Sequence, residues 1–240
     1  MTPRLATAVA TALALVACNK DPHAPYQTGG PTGRFRFVNA APDTATDTLR
    51  VRLDVYLAST GVATNLTYRG ATTYATVLAG AWPLRARKTV DTAIVVINET
   101  FSPAAGDDYT IFATDSQPAV ATLILTDVNT APAGDSAKIR IVHASPGLGT
   151  VDVYITAPAA DLTTETPDVA NVAFRDASAY FTVPIGAHRV RFTTASTKTV
   201  LVDVTGTAFP TLARGQIRTV VALDRLRGGA PFTSVVLADR

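Results

Sequence analysis

From residue 33 onward, apolar and polar positions alternate at period two, and no stretch of useful length keeps the 3.6-residue spacing of a buried helix face. In "RFRFVN" (34–39), Phe35 and Phe37 share one face while Arg34 and Arg36 point to the other. "KIRIVH" (138–143) repeats this, with Ile139 and Ile141 inward and Lys138 and Arg140 outward. "LDVYL" (53–57) and "VDVYI" (151–155) alternate likewise, placing Asp54, Tyr56, Asp152 and Tyr154 on an outer face. Each segment predicts a strand with one buried face.

These strands come in two sets. "NLTYRGATTY" (65–74) matches "NVAFRDASAY" (171–180), and Gly80 matches Gly186. "GDDYTIFA" (106–113) matches "GQIRTVVA" (215–222), and "LILTD" (123–127) matches "VVLAD" (235–239). The length differences fall between the strand-like segments: the run from Pro42 to Leu53 is longer than that from Pro146 to Val151, and Tyr56 to Asn65 is shorter than Tyr154 to Asn171. Strands that carry a core resist insertion and surface connections do not. Each set offers about seven short strands over about 100 residues, the size of an immunoglobulin-like sandwich. The expected organisation is all-β: two tandem immunoglobulin-like β-sandwich domains at 34–127 and 138–240, joined by a linker at 128–137.

The first 33 residues differ in kind. One positive charge, Arg4, precedes an apolar run from Leu5 to Ala17. That run falls short of the about 20 residues a membrane-crossing helix needs, and it suits the core of a secretory signal. Leu15-Val16-Ala17-Cys18 resembles the lipobox of bacterial lipoproteins, whose cysteine is lipidated and becomes the first mature residue. Cys18 is the chain's single cysteine, so no intrachain disulfide forms. The expectation is a signal peptide over 1–17, a lipidated Cys18 followed by a flexible tether to residue 33, and a protein anchored in the bacterial envelope on its extracytoplasmic side. The tether carries three Pro, three Gly and His23. The formal charge of +2 is scattered along the chain, which excludes the clustered basic footprint of a nucleic-acid binder.

"RIVHASPGLGTVDVYI" (140–155), followed by "NVAFRDASAYFTVPIG" (171–186), resembles the DUF4397 family of bacterial secreted and surface proteins. The first copy departs at Asn39 for His143 and at Ala41 for Ser145. The resemblance implies a β-sandwich repeat in an extracytoplasmic setting, and it carries no established activity.

His143, Ser145 and Asp152 supply the residue types of a hydrolytic triad, which is judged by geometry. No G-x-S-x-G elbow is present, and the first copy keeps its strand pattern without the His and Ser. The simpler expectation is that His143 and Asn39 bond the backbone of the turn after their strand. Arg36 with Asp54, and Arg140 with Asp152, are expected to pair across neighbouring strands. Trp82 and His188, at matching positions, are expected at the core edge, and Tyr109 as a corner tyrosine confined to the first domain. Neither paired-His spacing nor a second cysteine exists for zinc, and Asp43, Asp47, Asp107 and Asp108 lack EF-hand spacing. No cofactor, metal site or catalytic residue is expected. The functional expectation is a non-enzymatic binding, adhesion or envelope-structural lipoprotein. Its partners are the membrane, through Cys18, and an envelope protein or glycan met by the loops 43–52, 57–64 and 155–170. The rival is a hydrolase or carbohydrate-active protein with its site at the domain junction.

Overall fold

The computed structural model of the protein describes residues 25–26, 29–43, 52–116 and 119–240. Cys18, His23, Asp47 and most of the 43–52 connection, on which the sequence placed an anchor, a tether and a loop, lie outside the described residues. Within the described residues the chain is all-β and forms four four-stranded sheets.

The first inner sheet has the order β4-β1-β7-β8, from β1 (Thr32–Asn39), β4 (Ala75–Leu78), β7 (Asp108–Thr114) and β8 (Ala121–Asp127). The first outer sheet runs β3-β2-β5-β6, from β2 (Leu53–Leu57), β3 (Thr60–Leu66), β5 (Trp82–Lys88) and β6 (Asp91–Phe101). The second half repeats both orders. Its inner sheet is β12-β9-β15-β16, from β9 (Ser136–His143), β12 (Phe181–Pro184), β15 (Ile217–Leu223) and β16 (Thr233–Ala238). Its outer sheet is β11-β10-β13-β14, from β10 (Val151–Thr156), β11 (Val169–Val172), β13 (Arg189–Thr194) and β14 (Val200–Val204). Each sandwich therefore has eight strands, one more than the spacing predicts, because the four-residue strands β4 and β12 close an edge of each inner sheet.

Inward positions make two cores as the alternation requires. Phe35, Phe37, Val55, Leu84, Phe101 and Ile111 fill the first; Ile139, Ile141, Val153, Val190, Phe192 and Val220 fill the second. Phe101 sits between Phe35 and Tyr109, with ring centroids 5.4 Å from each. Pro25 and Tyr26, expected in a free tether, are tied to the first sandwich. The Pro25 carbonyl accepts from Leu78 N–H at 2.8 Å, and Tyr26 packs against the core, which raises its phenol pKa to about 12 through burial.

A third apolar cluster lies between the halves. Val38 and Phe112 from the first inner sheet meet Val142, Val221 and Leu237 from the second. The four layers thus run outer, inner, inner, outer, and β1, β7, β9 and β15 are covered on both faces. Two parallel pairings sit at this centre, β1 with β7 and β9 with β15. Parallel strands are generally covered on both faces, and here the apolar runs "TIFAT" and "TVVAL" supply two buried faces at once.

Phe192→Ala, which empties a fully buried ring site, should cost about 3–5 kcal/mol in urea unfolding, whereas Val200→Ala on the exposed part of β14 should stay within about 0.5 kcal/mol.

Candidate functional site at the junction of the sandwiches

Arg36 leaves the first core on the outward face of β1 and enters the junction. Its Nε donates to Thr110 Oγ1 at 2.9 Å, its Nη1 to the Ala238 carbonyl at 2.9 Å, and its Nη2 to the Asp239 carboxylate. Arg140, its counterpart on β9, does the same in reverse: Nε to Thr219 Oγ1 at 3.1 Å, Nη1 to the Thr126 carbonyl at 3.3 Å and Nη2 to Asp127 Oδ1 at 2.6 Å. Each carboxylate also accepts two hydroxyls. Asp127 takes Thr110 and Tyr74, both at 2.6 Å; Asp239 takes Thr219 at 2.6 Å and Tyr180 at 3.0 Å. The tyrosine rings lie over the guanidinium groups at 4.8 Å for Tyr74 on Arg36 and 4.7 Å for Tyr180 on Arg140. Burial raises both phenol pKa values far above the ordinary range, so each hydroxyl stays a donor.

The pattern is that of an isologous contact within one chain: Arg36 of the first half meets Asp239 of the second, and Arg140 of the second meets Asp127 of the first. Both ion pairs are nearly sealed, at 3% and 0% side-chain exposure. A second reciprocal pair frames them. Arg69 donates through Nη2 to the Ser234 carbonyl at 2.6 Å, and Arg175 through Nη2 to the Thr122 carbonyl. Arg69 and Arg175 hold positive φ of 66° and 72°, and each donates its N–H at 2.7 Å to the last residue of the adjoining strand, Asn39 and His143. The shared "YRGATTY" and "FRDASAY" segments are therefore clamps between the halves.

This corrects the expected cross-strand pairs. β1 and β2 belong to different sheets, so Arg36 never faces Asp54, and the same separation keeps Arg140 from Asp152. Asp54 accepts Asn65 N–H and Thr89 Oγ1, both at 2.8 Å, and Asp152 accepts Asn171 N–H at 2.9 Å. Asn65 and Asn171 have φ of 58° and 55°, a region Asn tolerates better than most residues. The Asp of V-D-V-Y thus holds a backbone kink.

His143, Ser145 and Asp152 do not converge. His143 is fully buried; its Nε2 donates to the Gly149 carbonyl at 2.6 Å and its Nδ1 accepts Ser145 N–H at 3.3 Å. Both ring nitrogens are committed to the turn, which leaves none to take a proton from Ser145. Ser145 Oγ donates instead to Asp224, which also accepts Gly147 N–H at 3.2 Å and Gly229 N–H at 2.8 Å. Asn39 shares one of these contacts, accepting Ala41 N–H as His143 accepts Ser145 N–H, but its amide donates to the Leu66 carbonyl at the end of β3 and not to the turn after its strand. Burial lowers the His143 pKa below 6.5, outweighing the hydrogen bonds to backbone that would raise it.

The remaining candidates are structural as well. Trp82 Nε1 donates to the Leu78 carbonyl and His188 Nε2 to the Pro184 carbonyl, each at 2.8 Å, so the two rings close equivalent turns. The Tyr109 hydroxyl accepts Ala104 N–H at 3.1 Å and reaches Asp107 at 3.2 Å, which pins the turn before β7. Asp43 faces Lys88 at 3.6 Å and Asp108 pairs with Arg34, and among the described residues no group of three His, Cys, Asp or Glu gathers as a metal site requires. Two open grooves of about 440 and 480 Å³ flank the junction, one beside Tyr74 and one beside Tyr180; among the described residues no carboxylate or histidine lines either. Residues 57–64, expected as a loop, are the β2–β3 hairpin, because only Ala58 and Ser59 separate its strands.

The family described as "Domain of unknown function (DUF4397)" matches residues 33–154, just over half the chain, and the chain belongs to that family. The match covers the first sandwich and the first two strands of the second, so it takes in most of the 140–155 motif and stops short of 171–186. No curated protein matches the chain. Among solved structures, family 41 carbohydrate-binding modules from streptococcal virulence factors, described for α-glucan recognition, align over 86% of this chain and 97% of theirs at 11% identity and TM-score 0.26. Another streptococcal virulence factor, described for α-glucan binding, aligns over 79% and 92% at 8% identity and TM-score 0.26. The Bacillus anthracis TIE protein aligns over 85% of this chain and 34% of its own at 9% identity and TM-score 0.25. Likeness at that level carries no argument about ligand or activity.

Removing one partner of a sealed pair strands the other charge. Arg140→Ala or Asp127→Ala should each cost about 3–5 kcal/mol in urea unfolding, and the double variant should lose far less than their sum; additive losses would refute the pairing. The His143 linkage has a definite sign. The unfolded chain takes up the proton near pH 6.5 and the folded chain does not, so stability is intact above that pH and declines below it. His143→Asn, the residue of the first half, should flatten the fall in melting temperature between about pH 7.5 and 5.5.

Proposed function

We propose that the chain is a lipid-anchored, extracytoplasmic binding scaffold of the bacterial envelope with no catalytic centre of its own. Two copies of one sandwich module, over 34–127 and 138–240, form a single body tethered through Cys18. Its partners are envelope proteins or glycans that meet the outer sheets and the loops beside them.

One observation carries this reading. The polar residues that the sequence offers as candidates for chemistry are consumed by internal contacts. Arg36, Arg140, Asp127 and Asp239 neutralise one another in the junction, Asp54 and Asp152 hold backbone kinks, and His143 and Ser145 fasten a turn. Repetition here preserves a frame, and a frame whose repeated Arg–Asp pairs and kink-holding aspartates are spent on internal contacts leaves its outer face for recognition. The lipobox-like Leu15–Cys18 supplies the setting, since two or three acyl chains on one cysteine anchor firmly where a single chain does not.

The test is an intact-mass measurement on protein extracted from membranes. A chain beginning at Cys18 with diacylglyceryl and acyl mass added is the expected result; an unmodified Cys18, or a chain starting elsewhere, would overturn the anchor.

A further inference from the structure

The two outer sheets are built alike and covered differently. On the second, Tyr154 of β10 stands beside Arg191 of β13, and on the first, Tyr56 of β2 stands beside Arg85 of β5 at the same register. Tyr154 is only 1% exposed. The β10–β11 connection lies close to this face and is held there by three cations through its backbone carbonyls. Arg189 Nη1 donates to Pro158 O at 3.1 Å and Arg191 Nη2 to Ala160 O at 3.0 Å. Lys198 Nζ, 5.9 Å from the Tyr154 ring centroid, donates to Leu162 O and Glu165 O at 2.7 Å and to Thr163 O at 3.2 Å. The segment so held, "TAPAADLTTETPD" (156–168), carries Asp161, Glu165 and Asp168 and no basic residue.

Among the described residues the first outer sheet has no such cover, because its β2–β3 hairpin turns at Ala58 and Ser59. What remains is an open groove of about 790 Å³ floored by Tyr56, Arg85 and Arg87 and walled by Val95 and Asn98. Arg87 lies over the Tyr56 ring at 4.4 Å, and its Nε, buried as an atom, has no hydrogen-bond partner among the described residues. Arg85 spends its Nε on Asn98 at 3.0 Å. Val95, at 49% exposure, gives the groove an apolar lip, and among the described residues no carboxylate lines it.

We propose that this groove binds an acidic, extended polypeptide segment of a partner protein, seated on Tyr56 with its carbonyls and carboxylates on Arg85 and Arg87, as the chain's own 156–168 segment is seated on the second outer sheet. The proposal deepens the scaffold reading by naming its site and partner chemistry, and it rests on that reading. The chemistry favours a peptide on three grounds. The Arg85 and Arg87 guanidinium groups line a groove that no carboxylate lines among the described residues, charge-assisted bonds to backbone and carboxylate oxygens are strong, and an aromatic ring with an apolar lip takes the intervening side chains.

The experiment uses the detergent-solubilised full chain and a fluorescent synthetic peptide of sequence TAPAADLTTETPD, read by anisotropy. Saturable binding of one equivalent is expected. It should weaken at least tenfold in Arg87→Gln and in Tyr56→Ala at unchanged melting temperature, and vanish when the three acidic positions of the peptide become Lys. A second variant, in which residues 157–167 are replaced by the Ala-Ser turn of the first half, uncovers Tyr154 and should raise the stoichiometry to two. Absence of saturable binding, indifference to Arg87→Gln, or a stoichiometry that stays at one after uncovering Tyr154 would each overturn the assignment. So would saturable binding of maltoheptaose, read by titration calorimetry, with no peptide binding, which would give the groove to a glycan. Failure on any of these leaves the Cys18 mass unaffected, so the anchored scaffold and its peptide site fail separately.

Discussion

The arrangement depends on two guanidinium groups and two carboxylates withdrawn from water between the inner sheets. Burying an ion pair costs several kcal/mol per ion before attraction and hydrogen bonds offset it, so such a pair persists only where its remaining valences are filled. Here they are. Arg36 donates to a hydroxyl, a carbonyl and a carboxylate, and Asp239 accepts from a guanidinium and two hydroxyls, with the mirror set on Arg140 and Asp127. The contribution lies in orientation more than in stability. Apolar contact between Val38, Phe112, Val142 and Val221 would tolerate sliding, whereas a threefold-bonded guanidinium tolerates one relative placement of the sheets.

That placement decides which surfaces are left. With the inner sheets face to face, the outer sheets and their connections are the surfaces that stay exposed. The halves then diverge where the frame permits it. The β10–β11 connection runs long and is held by Arg189, Arg191 and Lys198, while the β2–β3 turn is short and leaves Tyr56 partly open. The end of the first strand varies too: Asn39 and His143 both accept the N–H two residues on, but Asn39 donates across to Leu66 of β3 and the longer His143 ring to Gly149 in the following turn.

The fold was legible in the sequence because each strand in a sandwich must turn every second side chain to a core. Phe35 and Phe37, Ile139 and Ile141, and the paired glycines at 80 and 186 all sit where alternation and matching put them. The junction was not legible, for a physical reason. Alternation says which way a side chain points relative to its own core and nothing about what stands on the other side. Arg36 and Arg140 do point outward, but outward is the interior of the whole molecule. A signal was available in the burial demanded by "RFVN", "TIFAT", "RIVH" and "TVVAL", where apolar residues occupy both phases. The matching aspartates that close "LILTD" and "VVLAD" were visible too, and their partners required coordinates. Nor could the sequence reveal that Ser145 answers to Asp224, 79 positions away.

Residues 128–135 connect β8 to β9, and this short bridge changes the thermodynamics of the junction. Two separate chains bearing these patches would meet by collision, and the fraction joined would fall on dilution. Carried on one chain, the patches meet at a local concentration fixed by the bridge rather than by expression level, so a single molecule keeps the same shape however dilute it is.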